Sequence, residues 1–592
     1  MTSCTKGSET SANQSDFITL ESDAVNRWFD DRYNDELARS PISQTRLGLR
    51  KSLSRLDDVS QQALDEDAAL LLGWRQDLTT TFDVDRLNQQ TRLSYDLFLY
   101  DTDNRLAQHE FADHNYIFQH MSGPHTSLPA FLINNHPVTS VAEAEAYIAR
   151  LVAVQDYLGQ YTQRAEAQAE KGVLLPRYIY PKLIEAAQNI ISGAPFNGAD
   201  ESPLLKSFIE KVDQLDTDSD TKNRLKSNAS SALLNHTGPA YQNLITLFHL
   251  HHSMSDDQDG VWKLPQGEAF YQSRLKHYTT TNMSADEIHQ IGLKEVARIQ
   301  DEMRIIMEQI GFTGSLQDFF DELRTDPKFT YSNDAEGRAR YIQEATAYID
   351  DMRGQLDTLF ITKPRADMVV KRVEPFREAT AFGAFYNRPA LDGSRPGTYY
   401  INLKDMNDLP TYQMQALAYH EGIPGHHMQL ALSMELQDLP KFRTLGGHTA
   451  YIEGWALYSE SVPAELGLYT DPYQDFGRLS MEIFRAVRLV VDTGIHAKKW
   501  TREQAVDYFL QNSANAEGDI RAEIDRYIVW PGQATAYKVG MIKIQELRQL
   551  AETELGDEFD IAEFHDVILA NGSVPLSVLE TLVTNWIKKE KG

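Results

Sequence analysis

Along most of the chain the apolar residues recur at the spacing of one helix face. Val25, Trp28, Phe29 and Leu37 begin the pattern. Ser140 and Glu143 form a capping-box signature, after which Ile148, Leu151, Val152 and Leu158 are expected on one face of a helix that ends at Lys171-Gly172. Ser284 and Glu287 repeat the device ahead of a long stripe of Ile288, Ile291, Ile299, Met303, Ile306 and Ile310, closed by Gly311. Such stripes are core, so the pattern predicts a mostly α fold. Two stretches break the rule. Residues 368–373 and 398–403 are rich in β-branched and aromatic residues, with turn formers between them, and predict short strands. They read either as a plain structural hairpin or as a sheet that offers an edge to a peptide.

Loops are expected at 192–198, 213–220 and 253–260, and neither an internal repeat nor a long linker interrupts the chain. The coarsest division is a disordered polar tether at 1–15, a helical lobe at 16–280 and a lobe at 281–592 that carries the chemistry. The two lobes are expected to fold as one continuous unit.

The 592 residues are 42% hydrophobic, enough for a large core, and no run of eighteen apolar residues would span a membrane. A net charge of −29 argues against nucleic acid, which wants a basic face. Cys4, the single cysteine, precludes an internal disulfide. It stands in a Ser/Thr/Asn/Gln-rich tract that looks like the mature start of a bacterial lipoprotein, although the basic and apolar parts of an export signal are absent. The expectation is therefore the bacterial envelope, periplasmic and with Cys4 as a candidate lipid anchor. A cytoplasmic protein with a frayed end is the alternative.

The chemistry concentrates in His420-Glu421-Gly422-Ile423-Pro424-Gly425-His426-His427. The zincin signature H-E-x-x-H puts two imidazoles on one helix face, with the Glu as general base. Here position i+4 from His420 is Pro424. At roughly 100° per residue, an undistorted helix would turn His426 away from His420 and put His427 roughly 10 Å along the axis. Gly422, Pro424 and Gly425 permit a distortion. The segment reads as H-E-x-x-H with a two-residue bulge, with His420 and His426 as zinc ligands and His427 as the fallback. A second cluster, Tyr451-Ile452-Glu453-Gly454-Trp455-Ala456-Leu457-Tyr458-Ser459-Glu460, supplies Glu453 as a third ligand from a second helix. Glu460, seven residues on and on the same face, suits a partner that orients a ligand imidazole. A solvated His-Glu pair and a capped helix start are the bland readings of the two halves; their joint occurrence favours the metal site.

These motifs, with V-D-T-G-I-H at 491–496 and P-G-Q-A-T-A-Y-K-V-G at 531–540, resemble the bacterial family called domain of unknown function 885. The resemblance runs from about residue 20 to the C-terminus. It implies a zincin-like helical metallopeptidase fold, distantly similar to the thimet oligopeptidase and angiotensin-converting-enzyme type, with a small β-sheet beside the active-site helix. It also makes 398–403, with Tyr400, the edge strand that pairs with substrate. Related helical oligopeptidases place a C-terminal Tyr or His on the oxyanion, a role assigned here to Tyr537. Lys538 would meet a substrate carboxylate. His496 and His448 are candidates for contacts to substrate or to a ligand, against the commoner structural role. An Arg would be needed for a free substrate C-terminus; Arg485 and Arg488 are both available, although pairing of Arg488 with Asp492 at i,i+4 is the simpler account. The expected activity is zinc-dependent hydrolysis of short peptides with Glu421 as base. A zinc hydrolase of another amide or ester, and a non-catalytic binding protein of the same fold, are the rivals. Phosphate-loop, dinucleotide and serine-elbow motifs are absent.

Overall fold

A computed structural model describes residues 8–592 apart from 376, 377, 379, 380, 382, 392, 394 and 438, with side chains from residue 17 onward. Helix α1 (Ser8–Arg39) begins inside the polar tract, and residues 1–7 lie outside the described part. Val25, Trp28 and Phe29 are buried as the pattern predicts, and Phe29 packs on Phe442 with ring centroids 5.2 Å apart. Helix α2 (Val141–Glu170) starts where Ser140 accepts the Glu143 N–H. The Glu143 carboxylate turns instead to the Thr139 N–H and hydroxyl, so the box is only half formed. Leu151 and Leu158 are buried, but Val152, one position off the face, is 40% exposed.

The capping box of α3 (Ala285–Ile310) is complete, and Gly311 ends the helix at φ +79°. This helix packs along the long helix of the second half, and Gly292 lets the two approach: a Cβ there would lie 2.7 Å from that of Leu489. Three strands follow, β1 (Met368–Arg372), β2 (Ala384–Asn387) and β3 (Gly397–Ile401). The order is β1-β3-β2, with β1 parallel and β2 antiparallel to β3. Both expected strands exist, but β3 is the central strand and not the edge. The expectation that 398–403 pairs with substrate is thereby corrected, because its two sides are taken by β1 and β2.

The remaining elements that build the site are α4 (Met414–Glu421), α5 (His426–Glu435), α6 (Thr449–Ser459), α7 (Pro472–His496), α8 (Glu517–Val529) and α9 (Ala536–Leu555). Helix α7 is buried from Leu479 to His496, on its polar side as well as its apolar one. Leu479, Ile483, Val487 and Val490 are fully buried, and each such side chain stabilises by about 1.5–3 kcal/mol relative to exposure. The polar residues on α7 are buried too, and buried polar groups demand partners. Each of the two large apolar cores draws residues from both sides of position 280. No helix among the described residues is long and apolar enough to cross a membrane.

Candidate metal centre

Helix α4 stops at Glu421, and α5 starts afresh at His426. Between them the Gly425 N–H bonds to the Tyr419 carbonyl at 2.9 Å and the His427 N–H to the Gly422 carbonyl at 3.0 Å. A Cβ on Gly425 would lie 2.0 Å from the His420 carbonyl oxygen, so only glycine fits. Trp455 Nε1 donates to the Pro424 carbonyl at 2.9 Å and ties the break to α6. The insertion is thus a full interruption between two helices, a larger departure than the bulge expected from sequence, and it has the expected effect. The His420 and His426 rings lie 4.9 Å apart at 85°.

Glu453 of α6 completes the group. Its Oε2 lies 3.4 Å from Nε2 of His426 and 3.9 Å from Nε2 of His420. One ligand atom from each of the three residues falls within 4.8 Å of the others, a spacing that can hold a metal ion. Nδ1 of His420 meets Oε1 of Glu460 at 2.7 Å, so with the proton on Nδ1 the Nε2 lone pair faces the group. Nδ1 of His426 has no partner.

Charges here are shifted mainly by burial. Glu421 is pushed up to about 7 by desolvation, with the Glu453 charge adding and His426 and Arg485 opposing. Its Oε2 is buried without a hydrogen bond. Glu460 is raised to about 8 by burial, and burial drives His420 well below the imidazole range. Burial disfavours charge on both partners of the second pair as well, but their mutual bond prevails, raising His426 and lowering Glu453.

The group opens on a cleft of about 400 Å³ that Glu421, residues 383–386 and Tyr537 also line. The strand edge facing the cleft is therefore β2. Tyr537 is brought there by a close crossing of α6 and α9 at Gly454 and Gly540. Its hydroxyl accepts from Arg526 at 3.2 Å and Gln533 at 3.4 Å, leaving its own proton to donate.

Residues 41–583 match the family described as bacterial protein of unknown function (DUF885). The chain belongs to this family. A solved structure described as "the putative lipoprotein from Colwellia psychrerythraea" is similar over 96% of this chain and 99% of its own, at 33% identity and a TM-score of 0.90. A second, described as "a putative lipoprotein of unknown function from Shewanella oneidensis", covers 94% and 99% at 18% identity and a TM-score of 0.71, a likeness of fold. No curated protein matches the chain.

Several motif residues of this family member do not converge on the metal group. His427 donates from Nε2 to the Ala366 carbonyl at 3.0 Å and accepts from the Tyr386 hydroxyl at Nδ1, 2.8 Å away. No lone pair remains for a metal, so the fallback ligand is excluded; His427 instead anchors β2. His496 accepts the Val261 N–H at Nδ1 and donates from Nε2 to the Tyr527 carbonyl, which makes it structural. His448 pairs with Asp101 at 2.9 Å in a separate cleft. Lys538 is wholly buried against Glu482 at 2.6 Å and Glu295 at 3.0 Å and cannot reach a substrate. Tyr400 does not line the metal cleft but stacks behind Phe385, which does. Asp492 accepts from the Tyr271 hydroxyl and the Gly532 N–H, not from Arg488, which pairs with Glu523. The sequence reading also missed Asn515, Asp519, Glu523 and Arg526, which line the cleft. Their signal was a polar stripe at helical spacing among the buried Ile520, Ile524 and Ile528.

Proposed function

We propose that this protein is a zinc-dependent hydrolase that cleaves peptide bonds of short peptides, with a zincin-like arrangement of its site. The observation that carries the reading is the convergence of His420, His426 and Glu453 beside a buried carboxylate, Glu421, with an unpartnered oxygen. Zinc held at 2.0–2.2 Å by tetrahedral ligands separates them by roughly 3.3 Å, which suits the 3.4 Å and 3.9 Å spacings. Glu460 on His420 Nδ1 is the carboxylate that commonly fixes the tautomer of a ligand imidazole.

Held by His420, His426 and Glu453, zinc would supply Lewis acidity and would lower the pKa of the attacking water to about 7. Glu421, raised into that same range, takes the proton of the attacking water and returns it to the leaving amine. The Tyr537 hydroxyl, oriented by two donors, donates to the oxyanion that develops on the carbonyl. The β2 edge pairs with the extended backbone of the substrate, and the small cleft limits access to short chains. An envelope location, with lipid at Cys4, is supported by the description of the Colwellia protein as a lipoprotein and by the composition around Cys4.

The test is digestion of a peptide library by the purified, zinc-loaded protein, beside small ester and amide substrates. Chelator-sensitive cleavage of peptides is expected. Turnover of esters alone would redirect the reading to another hydrolase class, and no turnover with bound zinc would leave a binding protein.

A further inference from the structure

We infer that Arg485 binds the free C-terminal carboxylate of the substrate, so that the cleft acts on peptides from their C-terminal end. This rests on the peptide-hydrolase reading and adds its polarity. The sequence offered Arg485 and Arg488 equally, and the structure separates them. Arg488 donates to Glu523 at 2.8 Å and to the Tyr527 hydroxyl at 2.8 Å. Arg526, also on the cleft, donates to Glu523 at 3.3 Å and to Gln533 at 2.7 Å. Both guanidiniums are ion-paired, sharing the Glu523 carboxylate between them.

Arg485 is not. It lines the same cleft and is 7% exposed, yet among the described residues no carboxylate lies within the 4.0 Å of an ion pair. Its Nη1 bonds only to the Met481 carbonyl at 3.2 Å and sulfur at 3.3 Å, its Nε has no hydrogen-bond partner, and its guanidinium lies 5.2 Å from the Phe484 ring centroid. Glu421 and Glu460 feel its charge only at longer range, and a buried cation without a bonded counter-charge is costly unless something outside the fold completes it. A planar guanidinium is matched best by a carboxylate, which takes two parallel N–H bonds. The remaining ionisable side chains on the cleft include Asp408, Glu421, Glu453, Asp519 and Glu523, which cannot take a substrate carboxylate as an ion-pair partner and leave Arg485 as its place. Arg485 lines the cleft together with His420, Glu421 and His426, so the bound terminus shares the cleft with the reacting bond. Cleavage then releases a short C-terminal fragment.

The test uses zinc-loaded Glu421→Gln protein, in which bound peptide survives, and pairs of otherwise identical peptides ending in a free acid or an amide. Calorimetry should show the acid binding about tenfold or more tightly than the amide, as for loss of a charge-assisted hydrogen bond. Adding Arg485→Gln should abolish that preference, so that acid and amide bind equally. Adding Arg485→Lys, which keeps the charge and loses the fork, should leave a smaller preference and guards against misfolding of the first variant. Equal binding of acid and amide by Glu421→Gln protein would overturn the inference. So would a preference that survives Arg485→Gln. Wild-type turnover of the same peptides is read separately. Acid-selective binding without turnover would sink the hydrolase reading and spare the carboxylate site, whereas turnover without acid selectivity would do the reverse.

Discussion

Gly454 and Gly540 lie in backbone contact where α6 crosses α9: a Cβ on Gly454 would stand 2.5 Å from the Gly540 carbonyl carbon, and one on Gly540 would stand 1.8 Å from the Ala450 carbonyl oxygen. This crossing carries Glu453 and Tyr537, one residue and three residues from the contact, into the same cleft. The obstructing atoms are backbone and cannot swing aside. Gly540→Ala should therefore lower stability by at least about 1–3 kcal/mol and weaken zinc binding with it. Thermal melts with and without zinc check this.

Glu421→Gln removes the proton acceptor and keeps the volume of the side chain. Because the wild-type carboxylate is buried with an unpartnered oxygen, the amide should not destabilise the fold. Zinc content and melting temperature are expected to hold while peptide turnover falls to background. Retained turnover would remove Glu421 from the chemistry.

Glu460 acts through His420, whose Nδ1 it holds at 2.7 Å. Its replacement by Gln should reduce zinc affinity by about 10–100-fold, as is usual when such a partner is lost. Competition with a chromogenic chelator measures this.

Lys538 serves stability and not substrate. Burial alone would raise Glu482, but Lys538 and Arg298 outweigh it and hold the carboxyl near 2 against an ordinary 4.5. A depressed carboxylate gives its full stabilisation above the unfolded value and loses it as pH falls through the folded one. Stability should accordingly drop between about pH 4.5 and 2, visible as an acid limb in denaturant titrations. Lys538→Met leaves Glu482 to Arg298 and Arg478 and should cost less than the about 3–5 kcal/mol of a fully broken buried pair at neutral pH.

The pattern of apolar residues disclosed the helices because a 3.6-residue period reports burial directly, as at Ile288, Ile299 and Met303. The convergence of His420, His426 and Glu453 was legible for a different reason: a Gly-Ile-Pro-Gly interruption between two histidines, followed by a second acidic cluster, has few other uses. Strand order was not legible, since the parallel β1–β3 pairing joins segments separated by β2, and local composition carries no sign of it. Lys538 and His496 were misread because adjacency to a motif does not say which way a side chain points in a wholly buried helix. Their partners, Glu482 and the Tyr527 carbonyl, are remote in sequence.

The most direct measurement is the metal content of the purified, zinc-loaded protein compared with His426→Ala and His427→Ala. The account predicts stoichiometric zinc in the wild type and in His427→Ala, and its loss in His426→Ala. Zinc retained by His426→Ala but lost from His427→Ala, or a wild type that takes up none, would contradict it.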